Sequence, residues 1–477
     1  MGEARRLVLN TGIIAVGGMA TKLVQFFLLP LYTSVLSPAE YGTVDYLNVI
    51  ALFCVPVVSL LMDEAIFRFL IDCETEEERR RVVTASCALL VLGCVLFVAL
   101  ATAYQLMVGS ENVAWIVALV FAGTLLQMVS ALLRGFGDTV AYAAANFMAS
   151  AIMIVLNVVF IAVFNWGVVG MLSATVIAQG GVSLGFLLVR RVWRYIDYRL
   201  IDRTCVINLL RYSIPLIPNK VSWTIMNMSS RLVIMNLMGA TPAGLFAVAY
   251  KFPNVMDQVY GFFYASWKES SARVLGSKED EQRFFNYVYR TLRRLLMGIV
   301  LGMTAFMPLV FGLLIDSSYQ EGIYFVPILL LATFFSNISG FYGGIFTAYK
   351  DTGVMGSTTI ASAIVCLALN FVLIPLFGLY GASLATLVAM IVVNEYRRRK
   401  VAVYARLEED QKEALLTALC ALAVFGGFYA YVLSHALPAL VLSIAVATAF
   451  FLVANRRLLM RFVRELAGRL GVGGARR

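Results

Sequence analysis

Four basic side chains, Lys22, Lys220, Arg231 and Lys251, stand inside long apolar stretches of this chain. Their chemistry is anion binding, because ammonium and guanidinium groups donate charge-assisted hydrogen bonds to carboxylates and phosphates. A basic residue at the centre of a membrane helix costs about 2.5–3.5 kcal/mol on insertion scales. Four of them facing lipid would cost roughly 10 kcal/mol, comparable to the stability of a whole domain. They must face water, a partner or a ligand. Spacing groups them with other polar residues. Asn227 and Arg231 follow Lys220 by seven and eleven positions, which puts all three within about 20° of one helical face. Gly18, Lys22, Gln25 and Thr33 form a second stripe, and Lys251, Asn254 and Gln258 a third. On the second span Asp45, Asn48, Pro56, Ser59 and Asp63 share a face. This pattern predicts a cationic lumen that takes an anionic ligand, with Lys22, Lys220, Arg231, Lys251, Gln25, Asn227 and Asn254 as binding residues. Asp45, Asp63, Arg68 and Asp257 are candidates for coupling or gating. Structural roles compete with these readings. Lys251 could pair with Asp257, and Lys220 could neutralise Asp45 or Asp257. Arg68 with Asp63 and Glu64 suits an ion pair or gate, and Arg134, Arg211 and Lys268 suit snorkelling.

The elements that hold these residues are membrane helices. Hydrophobic residues make up 61% of the 477 and charged residues 14%, far from the usual soluble composition of about half and about a quarter. A span needs about 20 apolar residues, and roughly fourteen such stretches alternate with short loops. They cover 7–36, 43–70, 82–108, 113–134, 139–164, 167–191, 206–238, 242–270, 287–315, 322–349, 354–376, 379–396, 412–434 and 438–456. Lys22 falls midway along the first, about 20 Å from either end at 1.5 Å per residue. The first stretch does not read as a signal peptide, being too long and without a small-residue cleavage site. Alternate loops are rich in Lys and Arg or lack them entirely. Arg5-Arg6, Arg79-Arg80-Arg81, Arg190 to Arg203, Lys268 to Arg294, Arg397 to Lys400 and the tail from Arg456 are basic. The segments around Ser37–Glu40, Gly109–Asn112, Gly239–Pro242 and Ser434–Pro438 have no Lys or Arg. Basic loops stay in the cytoplasm, so both termini are expected inside.

Several function classes lose support. The net charge of +10 is mostly this loop asymmetry and favours an anionic inner leaflet rather than nucleic acid. None of the seven cysteines falls in an outer loop and no CxxC pair occurs, so neither disulfides nor a metal site is expected. No Walker-type phosphate loop occurs, which argues against direct ATP hydrolysis. The single histidine, His435, sits in a short outer loop. A membrane glycosyltransferase or polymerase would need a positioned acid, base or metal. The expectation is no enzyme and no cofactor.

The sequence repeats itself. Asp138-Thr139 to Ala178 aligns with Asp351-Thr352 to Ala389: Leu156-Asn157 with Leu369-Asn370, Phe164 with Phe377, then Gly170 with Gly381 and Ala174-Thr175 with Ala385-Thr386 after a two-residue gap. A weaker echo pairs Pro38-Ala39 and Tyr46 with Pro242-Ala243 and Tyr250. An even number of spans, about six, separates equivalent positions, so the halves point the same way across the membrane. The expected fold is an all-α polytopic membrane protein of two parallel-repeat six-helix lobes, 1–200 and 201–405, with 406–477 contributing two further helices and a basic tail.

Leu29-Pro30-Leu31-Tyr32, Leu36-Ser37-Pro38-Ala39-Glu40-Tyr41-Gly42 and the opening from Asn10-Thr11 through Phe26-Phe27 resemble the start of polysaccharide transporters. Arg134-Gly135-Phe136-Gly137-Asp138 and Tyr349-Lys350-Asp351-Thr352 resemble that family's loops after spans four and ten. These are Wzx-like flippases of the multidrug/oligosaccharidyl-lipid/polysaccharide exporter superfamily. The resemblance covers nearly the whole chain. It implies transfer of a polyprenyl-diphosphate-linked oligosaccharide (an O-antigen, capsule or exopolysaccharide repeat unit) from the inner to the outer leaflet of a bacterial plasma membrane. It also implies a polysaccharide polymerase and glycosyltransferases as partners, while a similarity to lipid II flippases implies a lipid tail held in a gap near spans one and eight. Tyr32, Trp223, Tyr250, Tyr260 and Tyr264 are available for sugar contact. A lipid II flippase has the same diphosphate-lipid chemistry. A cation-coupled multidrug exporter of the superfamily would use cavity carboxylates, and basic residues outnumber acids here.

Overall fold

The computed structural model of the chain describes residues 26–460 other than Glu111, Glu409 and Arg457. Gly18, Lys22 and Gln25 therefore lie outside the described residues, as does the tail from residue 461. Among the described residues the regular structure is helical throughout. The first helices are α1 (Leu29–Val35), α2 (Pro38–Val58), α3 (Met62–Asp72), α4 (Glu76–Val108), α5 (Val113–Gly135), α6 (Thr139–Asn157) and α7 (Gly167–Val189). Then come α8 (Arg203–Ser213), α9 (Ile217–Met238), α10 (Ala240–Ala249), α11 (Lys251–Arg273) and α12 (Lys278–Leu314). The last are α13 (Val326–Ala348), α14 (Thr352–Val401), α15 (Gln411–Ser434) and α16 (Leu437–Ala454).

Local chemistry sets the helix ends. Ser37 and Glu40 form a reciprocal capping box with Pro38 in the first turn, so α2 starts there. Thr75 and Glu78 do the same for α4, and the Asp138 carboxylate accepts from Ala141 N–H at 3.0 Å to start α6. The C-terminal ends of α4 and α9 fall at Gly109 and Gly239, both at positive φ.

Among the described residues, ten helices are long and apolar enough to cross a membrane. One of these continuous stretches, α14, is interrupted at Gly378 (φ 59°, ψ −134°), which divides it as the expected spans 354–376 and 379–396. Large apolar side chains stand exposed along these helices, including Leu100 at 71%, Met107 at 86% and Leu422 at 71%. Surfaces this apolar belong in hydrocarbon. The chain is a multi-pass membrane protein.

Three expected spans are broken. The stretch 43–70 stops at Ser59, where Leu60 and Leu61 take φ of 51° and 50° and Ser59 Oγ accepts from Leu61 N–H at 3.2 Å. Pro56, lacking an N–H, weakens the preceding turn. Asp63 therefore opens a new helix, α3, and does not continue the Asp45–Asn48–Pro56 face. The stretch 206–238 is divided at the Ile214–Leu216 turn, which contains Pro215, and 242–270 at Tyr250, ahead of Pro253.

The chain forms two compact units, Met1–Val248 with Thr359–Ala382 and Ala249–Thr358 with Ser383–Arg477. The first centres on Leu47, Met62, Ile66, Val83, Val120 and Leu172. The second has a core of Leu301, Ala305, Val424, Ala447 and Phe450, where α15 and α16 pack on α12.

Candidate functional site

Helix α9 carries Lys220, Asn227 and Arg231 as the spacing predicts, but their settings differ. Arg231 is buried, its side chain 7% exposed, and Nη1 donates to Asp45 Oδ1 of α2 at 3.1 Å. The Asp45 side chain is itself 12% exposed, and Tyr41, one turn earlier on α2, lies within electrostatic reach of both charges. A pair desolvated to this degree persists because either partner alone would be a buried, uncompensated charge. Asp45 is thus held by Arg231, which corrects the expectation that Lys220 neutralises it. Lys220 is exposed, with Nζ 6.0 Å from the Trp223 ring centroid, and it attracts Asp63 electrostatically. The amide of Asn227 donates to the Trp223 carbonyl at 2.7 Å and that of Asn48 to Val44 at 2.8 Å, so both bond to their own helices.

Asp63 and Glu64 line a polar cavity of about 230 Å³ with Gln127, Ser130, Arg134 and Asn146. The Arg134 guanidinium lies 4.0 Å from the Phe67 ring centroid and 5.4 Å from that of Tyr142. This is more than snorkelling to an interface, since the cation is seated on two aromatic faces. Arg68 is elsewhere. It is exposed and pairs with Asp72 at 2.6 Å, one turn along α3. This corrects the expected partnership with Asp63 and Glu64, and such a surface pair contributes little to stability.

In the second unit Lys251, Asn254 and Asp257 are half-buried on α11, and Asp257 is hydrogen-bonded to Asn337 of α13. Further along, α11 sets its aromatics into a glycine face of α13. A Cβ on Gly340 would collide with the Tyr260 hydroxyl at 2.6 Å, and one on Gly344 with the Trp267 indole. Trp267 Nε1 donates to the Phe341 carbonyl at 2.9 Å. Tyr260 is thereby committed to packing. Tyr32 and Tyr250 are buried too, and Tyr32 accepts from Asn157 Nδ2 at 3.1 Å. Of the five aromatics available for sugar, Trp223 is exposed and Tyr264 half-buried.

Sequence reasoning missed Arg397, which it grouped with the basic loop through Lys400. It is buried in the second unit, where Nε donates to Thr358 Oγ1 and Nη1 to the Ser339 carbonyl, both at 3.1 Å. Nothing in the local pattern separates it from Arg398 and Arg399. Only the helix phase, set by packing, turns it inward.

The described helices form a multi-pass fold with a desolvated ion pair, Arg231–Asp45, inside it. A family model described as "Polysaccharide biosynthesis protein" matches residues 7–267, and the chain belongs to that family. Solved structures share the fold. The lipid II flippase MurJ in an inward closed conformation gives a TM-score of 0.69 at 13% identity, covering 95% of this chain and 99% of that one. An inward-facing multidrug resistance transporter of the MATE family gives 0.64 at 18% identity, covering 80% and 95%. A superfamily transporter from Pyrococcus furiosus, reported with a binding pocket of reverse polarity, gives 0.54 at 17%, covering 83% and 96%. No curated protein sequence matches the chain.

Proposed function

We propose that this protein is a flippase that moves polyprenyl-diphosphate-linked oligosaccharide from the inner to the outer leaflet of a bacterial plasma membrane. Its termini are cytoplasmic and it works by alternating access. The observation that carries the reading is Arg231, a guanidinium buried within a membrane helix and held to an anionic group, Asp45. Guanidinium binds phosphate in the same geometry as carboxylate, with parallel N–H donors. A diphosphate head group is therefore a fitting ligand for it. Lys220 shares the helix face and Lys22 belongs to the same expected set, with Gln25 and Asn227 beside them. Lys251 and Asn254 are the second unit's own polar candidates. Asp63 and Asp257 are candidates for coupling to a proton or sodium ion. Arg68, exposed and paired with Asp72, has little support as a gate. A polysaccharide polymerase and glycosyltransferases are the expected functional partners, since one consumes and the others supply such a substrate.

A second reading, flipping of lipid II, is favoured by the near-complete mutual coverage with MurJ. Leaflet-resolved transport in proteoliposomes separates them, using a fluorescent polyprenyl-diphosphate oligosaccharide and fluorescent lipid II in parallel. Wild-type protein should move the oligosaccharide lipid, and Lys22→Ala and Arg231→Ala should each slow it about tenfold or more while the proteins remain monodisperse. Movement of lipid II alone would transfer the assignment. Undiminished transport in folded Arg231→Ala protein would remove Arg231 from the site.

A further inference from the structure

The start of α2 and the start of α10 interlock through a reciprocal pair of glycines. A Cβ on Gly42 would strike the carbonyl oxygen of Ala240, and a Cβ on Gly244 would strike the carbonyl oxygen of Pro38. Ala240 is four residues before Gly244, and Pro38 is four before Gly42. Each glycine thus admits the carbonyl one helical turn ahead of the other, an arrangement with local two-fold symmetry. Approach this close needs glycine at both positions and suits Cα–H···O contacts. Both segments belong to loops without Lys or Arg, the outer side on the loop-charge assignment. Ala243 sits within the clasp, 4% exposed.

The Arg231–Asp45 pair lies directly inward of it. Asp45 is seven residues from Pro38, and Arg231 is seven from Met238 at the end of α9, so both charges sit about 10 Å below their helix ends. Asp45 is also less than one turn beyond Gly42 on the same helix. The clasp and the ion pair therefore tie α2 to α9 and α10 at two successive depths.

We propose that Asp45 occupies the anion site of Arg231 as a stand-in for the substrate's diphosphate, and that displacement of Asp45 by a diphosphate releases the glycine clasp and opens the outer side. This deepens the flippase reading and rests on it. A diphosphate carries more charge than one carboxylate and engages guanidinium through two oxygens. It can therefore compete for Arg231 where a monoanionic lipid cannot. The freed Asp45 is then a carboxylate without its cation, close beside the clasp, which favours separation of α2 from α9 and α10. A ligand drives such a change only by binding one state better than the other, and Asp45 supplies that difference.

The test uses full-length protein in nanodiscs, with the seven native cysteines replaced and Ala243→Cys as the reporter for a hydrophilic maleimide. The ligand is polyprenyl diphosphate without sugar. It should speed labelling of the reporter when Asp45 is present, and polyprenyl monophosphate should not. Asp45→Asn should label without ligand and bind the diphosphate lipid about tenfold more tightly, because no carboxylate has to be displaced. Gly244→Ala, which leaves Arg231 and Asp45 in place, should also label without ligand and covers the case in which Asp45→Asn does not fold. Ligand binding by the parent protein with unchanged labelling in every variant would overturn the proposal and leave the flippase reading standing. Absence of diphosphate-lipid binding by every protein would overturn both.

Discussion

The two halves of the repeat build the same joints from different residues. Phe136 and Tyr349 each stand two positions before the aligned Asp138 and Asp351. Phe136 packs on Tyr195 with ring centroids 5.0 Å apart, and Tyr349 on Tyr404 at 4.6 Å. The residues between, Gly137 and Lys350, both take positive φ, 78° and 60°. Asp138 is ion-paired with Arg190, whereas Asp351 accepts from the Tyr404 hydroxyl at 2.7 Å. Asn157 and Asn370, both buried, each reach a helix that opens their half. Asn157 bonds Tyr32 at 3.1 Å, while Asn370 exchanges hydrogen bonds of 3.0 Å with Ser229 and Ser230 of α9. Gly170 and Gly381 close the set, each lying against the aligned residue of the preceding helix, Phe160 or Leu373.

The halves part at the turn that follows Asn157 and Asn370. The first uses two more residues there, with a π-helical turn at Val158–Val163 and positive φ at Asn165 and Gly167. The second turns at Gly378 alone. Backbone geometry is thus repeated where helices must meet, and the side chains that fill it have diverged.

The largest test of this comparison is the closing glycine. A Cβ on Gly381 would fall onto the Leu373 carbonyl, while one on Gly170 would lie 3.1 Å from the Phe160 Cβ. Gly381→Ala should destabilise by about 3 kcal/mol and Gly170→Ala by about 1, because the first overlaps a backbone carbonyl and the second makes a tight contact that a small shift relieves. Thermal unfolding in detergent ranks the two, and equal losses would mean that the shorter turn does not tighten the joint. A smaller effect separates the asparagines. Asn370→Ala leaves two buried serines without that partner and should cost roughly 1–2 kcal/mol, with Asn157→Ala costing about half of it. A larger loss from Asn157→Ala would invert the comparison. The smallest effect is read from its dependence on alkaline pH. Burial and the hydrogen bond that Tyr349 donates to Glu281, at 2.5 Å, push the Tyr349 phenol from its usual 10.0 up to about 12. A raised pKa means that the folded state holds the proton more tightly. The contribution is therefore complete below pH 10 and lost as pH rises towards about 12. Tyr349→Phe, which makes this joint resemble that of Phe136, should lose that contribution and so lower stability slightly at pH 7, and should flatten the stability loss across the alkaline window. An unchanged alkaline limb would show that the phenol is not held in this way.

Much of the fold was legible because a bilayer restricts what a chain can be. Apolar runs and loop charge gave most of the spans nearly to their ends, and the Asp138/Asp351 alignment located joints that recur in three dimensions. The broken helices were less legible. Pro56, Pro215 and Pro253 are visible warnings, but a proline in a membrane helix is compatible with a kink or with a break, and at Ser59 the left-handed pair Leu60-Leu61 decided it. The site was legible as a list of residues and not as a set of pairs. Periodicity put Lys220, Asn227 and Arg231 on one face, yet it had no means to separate exposed Lys220 from buried Arg231.

By itself the sequence determined the class of molecule, its crossing segments, its repeat and the identity of the charges within it, because transfer into hydrocarbon acts on each residue where it stands. Tertiary structure alone decided that Arg231 meets Asp45, that Arg397 is buried and that Gly42 faces Gly244. Each of these is a distance between segments far apart in the chain, or a helix phase fixed by packing. Such quantities depend on how whole helices are seated against one another, and no local pattern carries them.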